Sequence, residues 1–197
     1  AWVDIQGITA HPMSSKGQLL NPILVAHDFI GMLDRGQTPE FTEKTEGFVW
    51  VNGIQGGPAK CRVSLKLRDH SLKRYEEKKT LIRAIVDCLR VRYPRAQINL
   101  TIEDVYGNIA DAIKPENSAC IDMLRRAMEI EHVTVKDIAM RGGTDGSFIS
   151  TQGIPTPNYF TGAHNFHSAC EFMPMSSWLK SLAVTLRLVE LAAGVTK

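Results

Sequence analysis

Cys61-Arg-Val-Ser-Leu-Lys-Leu-Arg68 is the most regular stretch of this sequence, because apolar and polar side chains alternate through it without a break. In an extended chain, Cys61, Val63, Leu65 and Leu67 would share one face, and the basic and hydroxyl side chains between them would share the other. A period of two is typical of a strand that buries one face and leaves the other in water. Residues 61–68 are therefore predicted to form a half-buried strand.

The segments on either side of this strand complete a recognisable order of elements. Downstream, Ser71 is a favoured N-cap for a long helix that stops at Pro94, and residues 98–102 alternate as a further strand. Upstream, residues 48–54 and 2–6 read as strands, and residues 23–33 read as a helix with Pro22 in its first turn. The order β-α-β-β-α-β predicts a ferredoxin-like domain that closes its own core within residues 1–104.

The second half of the chain does not look self-sufficient. A helix opening at Pro115, a strand over 133–139, a short strand around 159–160 and a helix from about Ser176 are predicted. Two strands would leave unpaired sheet edges, so this part is predicted to be one flank of a larger α/β sheet whose other strands are absent from this sequence. The apolar stripe of the last helix is predicted to comprise Trp178, Leu182, Leu186 and Val189.

Composition and charge exclude several classes of protein. With 197 residues, 44% of them hydrophobic and 22% charged, the chain is neither disordered, collagen-like nor a coiled coil. It carries 23 basic and 21 acidic residues, which is not the balance of a nucleic-acid binder. Its most apolar stretch, 179–195, contains Arg187 and Glu190, so no membrane span is predicted.

The first residues and the cysteine spacing indicate the cellular compartment of the protein. No signal peptide is visible, and the four cysteines lie far apart without a CxxC pair, so a cytoplasmic protein with reduced thiols is predicted. Because the chain begins at Ala1 rather than at a methionine, we expect a processed or trimmed protein, or the later portion of a longer one.

Three loops concentrate reactive residue types, and each has an ordinary alternative. His11 lies beside Pro12 in a loop, where a histidine is more often a surface residue than a catalytic one. The segment from Arg141 to Gly146 is either a tight glycine turn or a phosphate cradle, although it matches neither common phosphate-binding motif. His164, His167 and Cys170 offer at most three ligands, whereas a closed zinc site takes four.

The end of the first-quoted strand also carries charged residues. Arg68-Asp69-His70 could form an acid/base pair, but Asp69 is better placed to cap the next helix while Arg68 ends on the wet face. The basic pairs at 73–74 and 78–79, interleaved with Glu76-Glu77, suggest a solvated helix face. RNA recognition is disfavoured because the strand at 61–68 lacks the stacking aromatics of an RNA-recognition sheet.

Taken in order, several motifs resemble the peptidase T family. They are Ala10-His11-Pro12, Leu67-Arg68-Asp69, Arg141-Gly-Gly-Thr-Asp-Gly-Ser, Gly153-Ile-Pro-Thr-Pro-Asn158 and the block from Phe160 to Phe172. This family comprises cytoplasmic tripeptide aminopeptidases, within the dizinc metallopeptidases that also include carboxypeptidase G and succinyl-diaminopimelate desuccinylase. The resemblance runs from Ala1 to the last helix.

The resemblance implies a division of the chain and a function. Residues 1–110 would be a ferredoxin-like lid that forms a homodimer, and residues 111–197 would be the C-terminal part of an α/β zinc-peptidase catalytic domain. The complete enzyme would use two zinc ions to release the N-terminal residue of tripeptides.

The resemblance also implies roles for four residues. His11 would stabilise the tetrahedral oxyanion, in several relatives from the partner subunit. Arg68 and Arg141 would hold the peptide carboxylate or carbonyl, for which a planar bidentate donor is well suited. His167 would ligate one zinc ion.

Other parts of the family machinery are missing from this sequence. The family mechanism also needs a His-x-Asp ligand pair, a bridging aspartate and adjacent glutamates, one of them the general base. Glu76-Glu77 is the sole Glu-Glu pair and lies on a predicted helix face. We therefore expect this chain alone neither to hold two zinc ions nor to hydrolyse tripeptides. The alternatives are a non-catalytic dimerisation or binding module, or a related dizinc carboxypeptidase or acyl-amino-acid hydrolase.

Overall fold

The structure, a computed structural model, describes residues 1–194. Contacts between residues divide them into two compact units. The first unit contains Ala1–Asp104 and the short segment Ala139–Gly142, and the second contains 105–138 and 143–194. The predicted domain boundary after residue 110 stays a prediction.

The first unit is a four-stranded antiparallel sheet with two helices. Its strands are β1 (Trp2–Gln6), β2 (Phe48–Gly56), β3 (Lys60–Arg68) and β4 (Gln97–Thr101), in the order β2-β3-β1-β4. Helix α1 (Pro22–Gly31) joins β1 to β2, and α2 (Leu72–Arg92) joins β3 to β4. This is the ferredoxin-like arrangement, so the predicted fold is confirmed.

Both helices pack on one face of the sheet, and the alternating strand pattern decides which face that is. Val63 of β3 lies opposite Val3 of β1 and is fully buried with it, while the intervening Arg62 and Lys66 are exposed. The side chains of the other parity therefore form an open sheet face. The buried core comprises Val3, Ile5, Val25, Ala26, Phe29, Val49, Cys61, Val63, Leu65, Ile82, Ile85, Val86, Leu89 and Ile98.

The predicted helix starts of the first unit are also confirmed. The Ser71 hydroxyl accepts the Arg74 backbone N–H at 3.4 Å, which satisfies one of the free donors at the start of α2. Pro22 opens α1 where its missing N–H costs nothing, and the Asn21 side chain accepts the Ile23 N–H at 3.0 Å.

The second unit is built from helices. They are α3 (Ile109–Ala112), α4 (Ala119–Ile130), which follows a 3₁₀ turn at Pro115–Asn117, α5 (Asp145–Thr151) and α6 (Met175–Ala192). Helices α4 and α6 pack together through Leu124, Ala127 and Val184, with Tyr159 and Phe160 against them.

The two strands predicted for this half are wrong. Between residues 105 and 194 there is no strand, and segments 133–139 and 159–160 are irregular. Alternating side chains favour an extended chain, but a strand also needs a neighbour for its backbone N–H and C=O groups. The described part of this half provides only the isolated bridge between His164 and Phe172.

The apolar stripe predicted for the last helix is present but exposed. Trp178 and Leu186 of α6 are 48% and 58% exposed, whereas Val184 on another face of the helix is fully buried against α4. Helix α6 therefore has a second apolar face that nothing among residues 1–194 covers. None of the helices in this described range combines the length and the apolar character needed to span a membrane.

Candidate functional site

Phe48 has both predicted substrate-binding residues as neighbours, Arg68 through the strand register and Arg141 through its guanidinium group. Phe48 opens β2 and is the register partner of Arg68, the last residue of β3, so their side chains share the open face. The guanidinium carbon of Arg141 lies 4.9 Å from the centroid of the Phe48 ring. We call Phe48, Arg68 and Arg141 the arginine patch. It brings two arginines, whose side chains are the best suited to carboxylates, to one end of the sheet.

Arg141 is held in place by Thr42. Its Nη1 donates to the Thr42 carbonyl oxygen and its Nη2 donates to the Thr42 hydroxyl. Its Nε is buried and has no hydrogen-bond partner among residues 1–194. A bidentate grip of Arg141 on a substrate carboxylate would therefore require exchange of the bonds to Thr42. The substrate-binding roles of Arg68 and Arg141 stay predictions.

The end of β3 is fixed by the buried carboxylate of Asp69. This carboxylate accepts the Ser71 N–H at 2.9 Å, Arg74 Nε at 3.0 Å and Lys78 Nζ at 2.8 Å. Burial by itself raises the pKa of Asp69, but the hydrogen bonds from Lys78, Ser71 and Arg74 outweigh it and hold the pKa below its usual value. These contacts occupy the carboxylate, so Asp69 stabilises the start of α2, but the N-cap of that helix is Ser71 and not Asp69. Gly47 packs so closely on it that a Cβ there would lie 2.1 Å from Asp69 Oδ2.

The face of α2 that the sequence suggests is solvated is partly buried instead. The Lys79 side chain is 8% exposed and pairs with Glu76 at 2.8 Å and with Asp104 at 2.9 Å. The Tyr75 hydroxyl donates to Asp104 at 2.6 Å, and burial together with this bond raises the pKa of Tyr75 to about 12. Ionised and paired groups of this kind anchor the helix, since each is satisfied within the unit.

His11 lies on an exposed loop whose two ends are joined by a β-bridge. The imidazole is exposed, and its Nδ1 accepts the Met13 N–H at 3.2 Å at the start of a short 3₁₀ turn. The loop closes where Ile8 and Leu20 form a bridge. A neutral imidazole that accepts at Nδ1 carries its proton on Nε2. The Nε2–H of His11 can therefore donate a hydrogen bond to a group outside the loop.

Within one chain, His11 and the arginine patch lie at opposite ends of the sheet. Strand β1 ends at Gln6 opposite Lys60, and Arg68 is eight residues farther along β3, which corresponds to about 26 Å at about 3.3 Å per residue. His11 is three residues from the Ile8 bridge, so it reaches at most about 11 Å from that point. The structure does not bring these predicted site residues together in a single first unit.

His167, the predicted metal ligand, lies in a strained loop of the second unit. Its φ of 64° falls in the left-handed region, which a residue with a side chain adopts at a cost. Its backbone N–H donates to Glu171 Oε2 at 2.7 Å, and this bond holds the conformation. The imidazole is exposed. The metal-binding role of His167 stays a prediction.

The neighbouring residues of this loop do not add ligands to His167. The His164 ring stacks on Phe172, with centroids 5.1 Å apart and planes 16° from parallel. Among residues 1–194 no three His, Cys, Asp or Glu side chains are grouped so that they could hold a metal ion. The described residues therefore contain no cluster of three such ligands, and all four cysteines are free.

Thr42 and Phe48 are the site residues that sequence reasoning missed. Threonine in a polar loop and phenylalanine at a strand start are unremarkable types, and Phe48 was recognised as part of a strand only. Arg141 lies 99 positions from Thr42, so no local spacing relates them. A long-range contact between the glycine-rich loop and the start of β2 was the missing information.

Comparison with known proteins shows which proteins this chain resembles. Residues 1–97 match the family model described as the peptidase dimerisation domain. A peptidase T-like protein of Yersinia pestis is 45% identical over 185 residues, covering 94% of this chain and 45% of that protein. Peptidase T of Halothermothrix orenii is 37% identical over 193 residues, covering 98% of this chain and 47% of that protein. The chain thus spans about half the length of these relatives.

Solved structures share the fold at lower identity. A tripeptidase from Staphylococcus aureus superposes with a TM-score of 0.71 at 22% identity, over 98% of this chain and 50% of that one. A dinuclear metal-binding peptidase of the M20 family from Bacillus subtilis superposes with a TM-score of 0.57 at 13% identity, over 99% of this chain and 49% of that one.

Proposed function

From the match of residues 1–97 to the family model of the peptidase dimerisation domain, we propose that the chain supplies the lid and the C-terminal catalytic segment of a tripeptide aminopeptidase. The complete enzyme would release the N-terminal residue of a tripeptide. The similarity to peptidase T proteins over 94% and 98% of the chain supports this assignment. The segment boundaries proposed are 1–110 for the lid and 111–197 for the catalytic part.

The arginine patch is the observation that carries the proposal. Arg68 and Arg141 are 73 positions apart, yet Arg68 is the register partner of Phe48 and Arg141 lies over the Phe48 ring. A pair of guanidinium groups beside an aromatic ring suits a peptide's carboxylate or carbonyl, because Arg donates in a planar fork. We assign substrate binding to Arg68 and Arg141 on this basis.

His11 is proposed to act in a homodimer. Its Nε2–H is the type of donor that stabilises a tetrahedral oxyanion. Its separation from the arginine patch along the sheet favours action on the partner subunit's site rather than on its own. We therefore propose a homodimer formed through the first unit, in which each lid completes the other subunit's catalytic centre.

The complete enzyme is proposed to use two zinc ions, with His167 as one ligand. The dinuclear metal-binding peptidase with the same fold supports metal use. Because no three such ligands are grouped among residues 1–194, we propose that most ligands and the general base come from sequence outside this chain. The chain alone is accordingly proposed to be inactive. A cytoplasmic location is proposed because four widely spaced free thiols suit a reducing compartment.

The test is a fusion of this chain to the preceding part of the Yersinia pestis relative. We expect the fusion with added zinc to hydrolyse tripeptides, and the chain alone to show no hydrolysis by chromatography of the products. Changing His11 to Ala in the fusion should lower kcat by about 10²-fold or more, the size typical of losing one oxyanion donor. A fusion that is dimeric by light scattering and holds two metal ions, yet leaves tripeptides intact, would refute the proposed activity.

The two alternatives give other outcomes in the same experiment. A non-catalytic dimerisation module predicts dimers whose mass is twice the 21.9 kDa of the chain, with no hydrolysis in the fusion. A carboxypeptidase or acyl-amino-acid hydrolase predicts cleavage of N-acylated substrates in preference to free tripeptides. A panel of tripeptides, their C-terminal amides and their N-acetyl derivatives separates these activities.

A further inference from the structure

Trp50 and Lys66 extend the arginine patch along the open face of the sheet. They are register partners on β2 and β3, one pair of positions inward from Phe48 and Arg68. The Trp50 side chain is 41% exposed, and Lys66 Nζ lies 5.5 Å from the centroid of its ring. A cation over an indole face is held by the ring's charge distribution, so the ammonium stays on this surface.

We propose that Trp50 and Lys66 bind the C-terminal residue of the peptide substrate. Lys66 would attract the α-carboxylate together with the arginine patch, and Trp50 would pack against the last side chain. This inference rests on the proposed function and adds a preference to it: peptides with a free C-terminal carboxylate and an apolar last side chain.

The distance between Phe48 and Trp50 suits a single amino-acid residue of the peptide. Phe48 and Trp50 are two positions apart on one strand face, which is about 7 Å. The carboxylate and the side chain of a C-terminal amino acid leave the same Cα, so a carboxylate near Arg68 places the last side chain within reach of Trp50. Charge complementarity identifies the occupant, since the positively charged Lys66 ammonium lies over the Trp50 ring at this end of the face.

Trp2, the other tryptophan on the open face, lies beside a cation that is already paired with a carboxylate. Trp2 has Arg62 at 5.7 Å from its ring centroid, but Arg62 donates to both carboxylate oxygens of Asp4 at 2.6 and 2.7 Å. The charge of that arginine is already neutralised. Within residues 1–194, by contrast, Lys66 makes no salt bridge to a carboxylate. Among the described residues, the Lys66 ammonium beside Trp50 is therefore not neutralised by a carboxylate.

The three tryptophans make the proposal directly measurable on the 197-residue chain. The indole N–H signals of Trp2, Trp50 and Trp178 are followed by ¹⁵N NMR, with Trp50→Phe used to assign one of them. The chain is titrated with the tripeptide Leu-Gly-Leu and, separately, with its C-terminal amide. We expect the Trp50 signal to move with the free acid while the other two stay, and the amide to bind at least about 5-fold more weakly.

Two lysine variants together measure how much the Lys66 ammonium contributes to peptide binding. Lys66→Gln is expected to weaken binding of the free acid about 3-fold to 5-fold, the range for one partly exposed ion pair. Lys60→Gln removes a lysine on the same face of β3, about 20 Å away at about 3.3 Å per residue, and should change nothing. An unchanged amide proton spectrum elsewhere verifies that each variant is folded.

Several results would overturn the inference. Equal binding of acid and amide, equal effects of the two lysine variants, or a Trp50 signal that does not move up to about 20 mM peptide would each do so. The titration involves no hydrolysis, so its failure leaves the tripeptidase activity of the fusion as a separate result. Conversely, an inactive fusion with a responsive Trp50 would reject the enzyme and retain the peptide-binding surface.

Discussion

Replacement of Asp69 by Asn removes the charge that fixes the end of β3 and the start of α2. The Lys78 side chain is 11% exposed, and Arg74 is 52% exposed. Leaving one partner of a buried ion pair uncompensated costs about 3–5 kcal/mol, while an exposed pair is worth at most about 1 kcal/mol. Asn keeps an oxygen for the Ser71 N–H, so we expect the first unit to lose about 2–4 kcal/mol of unfolding free energy.

Urea unfolding at pH 7 measures this loss. Changing Trp178 to Phe leaves the fluorescence of Trp2 and Trp50, both of which report on the first unit. The control is Asp87→Asn, which breaks an exposed pair with Arg90 and should cost less than about 1 kcal/mol.

The pH dependence supplies an independent check of the same ion pairs. The folded pKa of Asp69 lies below the unfolded value of about 3.9, so its contribution is fully present above about pH 5 and is lost as pH falls through the folded pKa. The difference between wild type and Asp69→Asn should shrink accordingly between pH 5 and lower values. If Asp69→Asn costs no more than Asp87→Asn at pH 7, or if its cost is independent of pH, the network does not stabilise the fold as argued.

The remaining predictions concern glycines and the His11 loop. Gly47→Ala places a Cβ 2.5 Å from a backbone carbonyl of β3 and should destabilise the first unit by more than about 2 kcal/mol, whereas Gly57→Ala, with open space around it, should cost less than about 1 kcal/mol in urea unfolding. In Gly162→Ala, a residue with a φ of +86° would place its Cβ 2.3 Å from Ser177 in the first turn of α6. Gly153 has a similar φ of +90° but no atom near its Cβ position, so Gly162→Ala should destabilise the second unit more than Gly153→Ala. Equal thermal unfolding midpoints of the two variants would contradict this. His11→Ala should leave the thermal unfolding midpoint of the isolated chain within about 1 °C, because the side chain is exposed and bonds only within its own loop; a larger drop would show a structural role.

The first unit could be predicted nearly completely because its signals are local. The alternation at 61–68 identified the central strand β3, and Ser71 and Pro22 located the helix starts. Each of these signals depends on residues within a few positions of one another. The ferredoxin-like order follows from them because it is a sequence of such local elements.

The same reasoning predicted strands in the second half that do not form, and the reason is physical. Residues 133–139 have a strand-like pattern, and their side chains alternate between half-buried and exposed at 133–136, yet they form no strand. Pairing needs a neighbouring chain, and none is available among residues 105–194. The short helices α3 and α5 were missed because four and seven residues are too few for a helical period to show.

The sequence by itself determined the order of elements in the first unit, its buried face and the types of side chain that a peptide site would use. Periodicity, capping and turn chemistry are properties of short segments, so they can be read without knowing what each segment packs against. Only the tertiary structure decided that Arg141 lies over the ring of Phe48, the register partner of Arg68, that Lys79 is buried, and that His11 lies at the far end of the sheet from the arginine patch. These facts depend on strand register and on contacts between residues many positions apart, which are set by the packing of the whole unit.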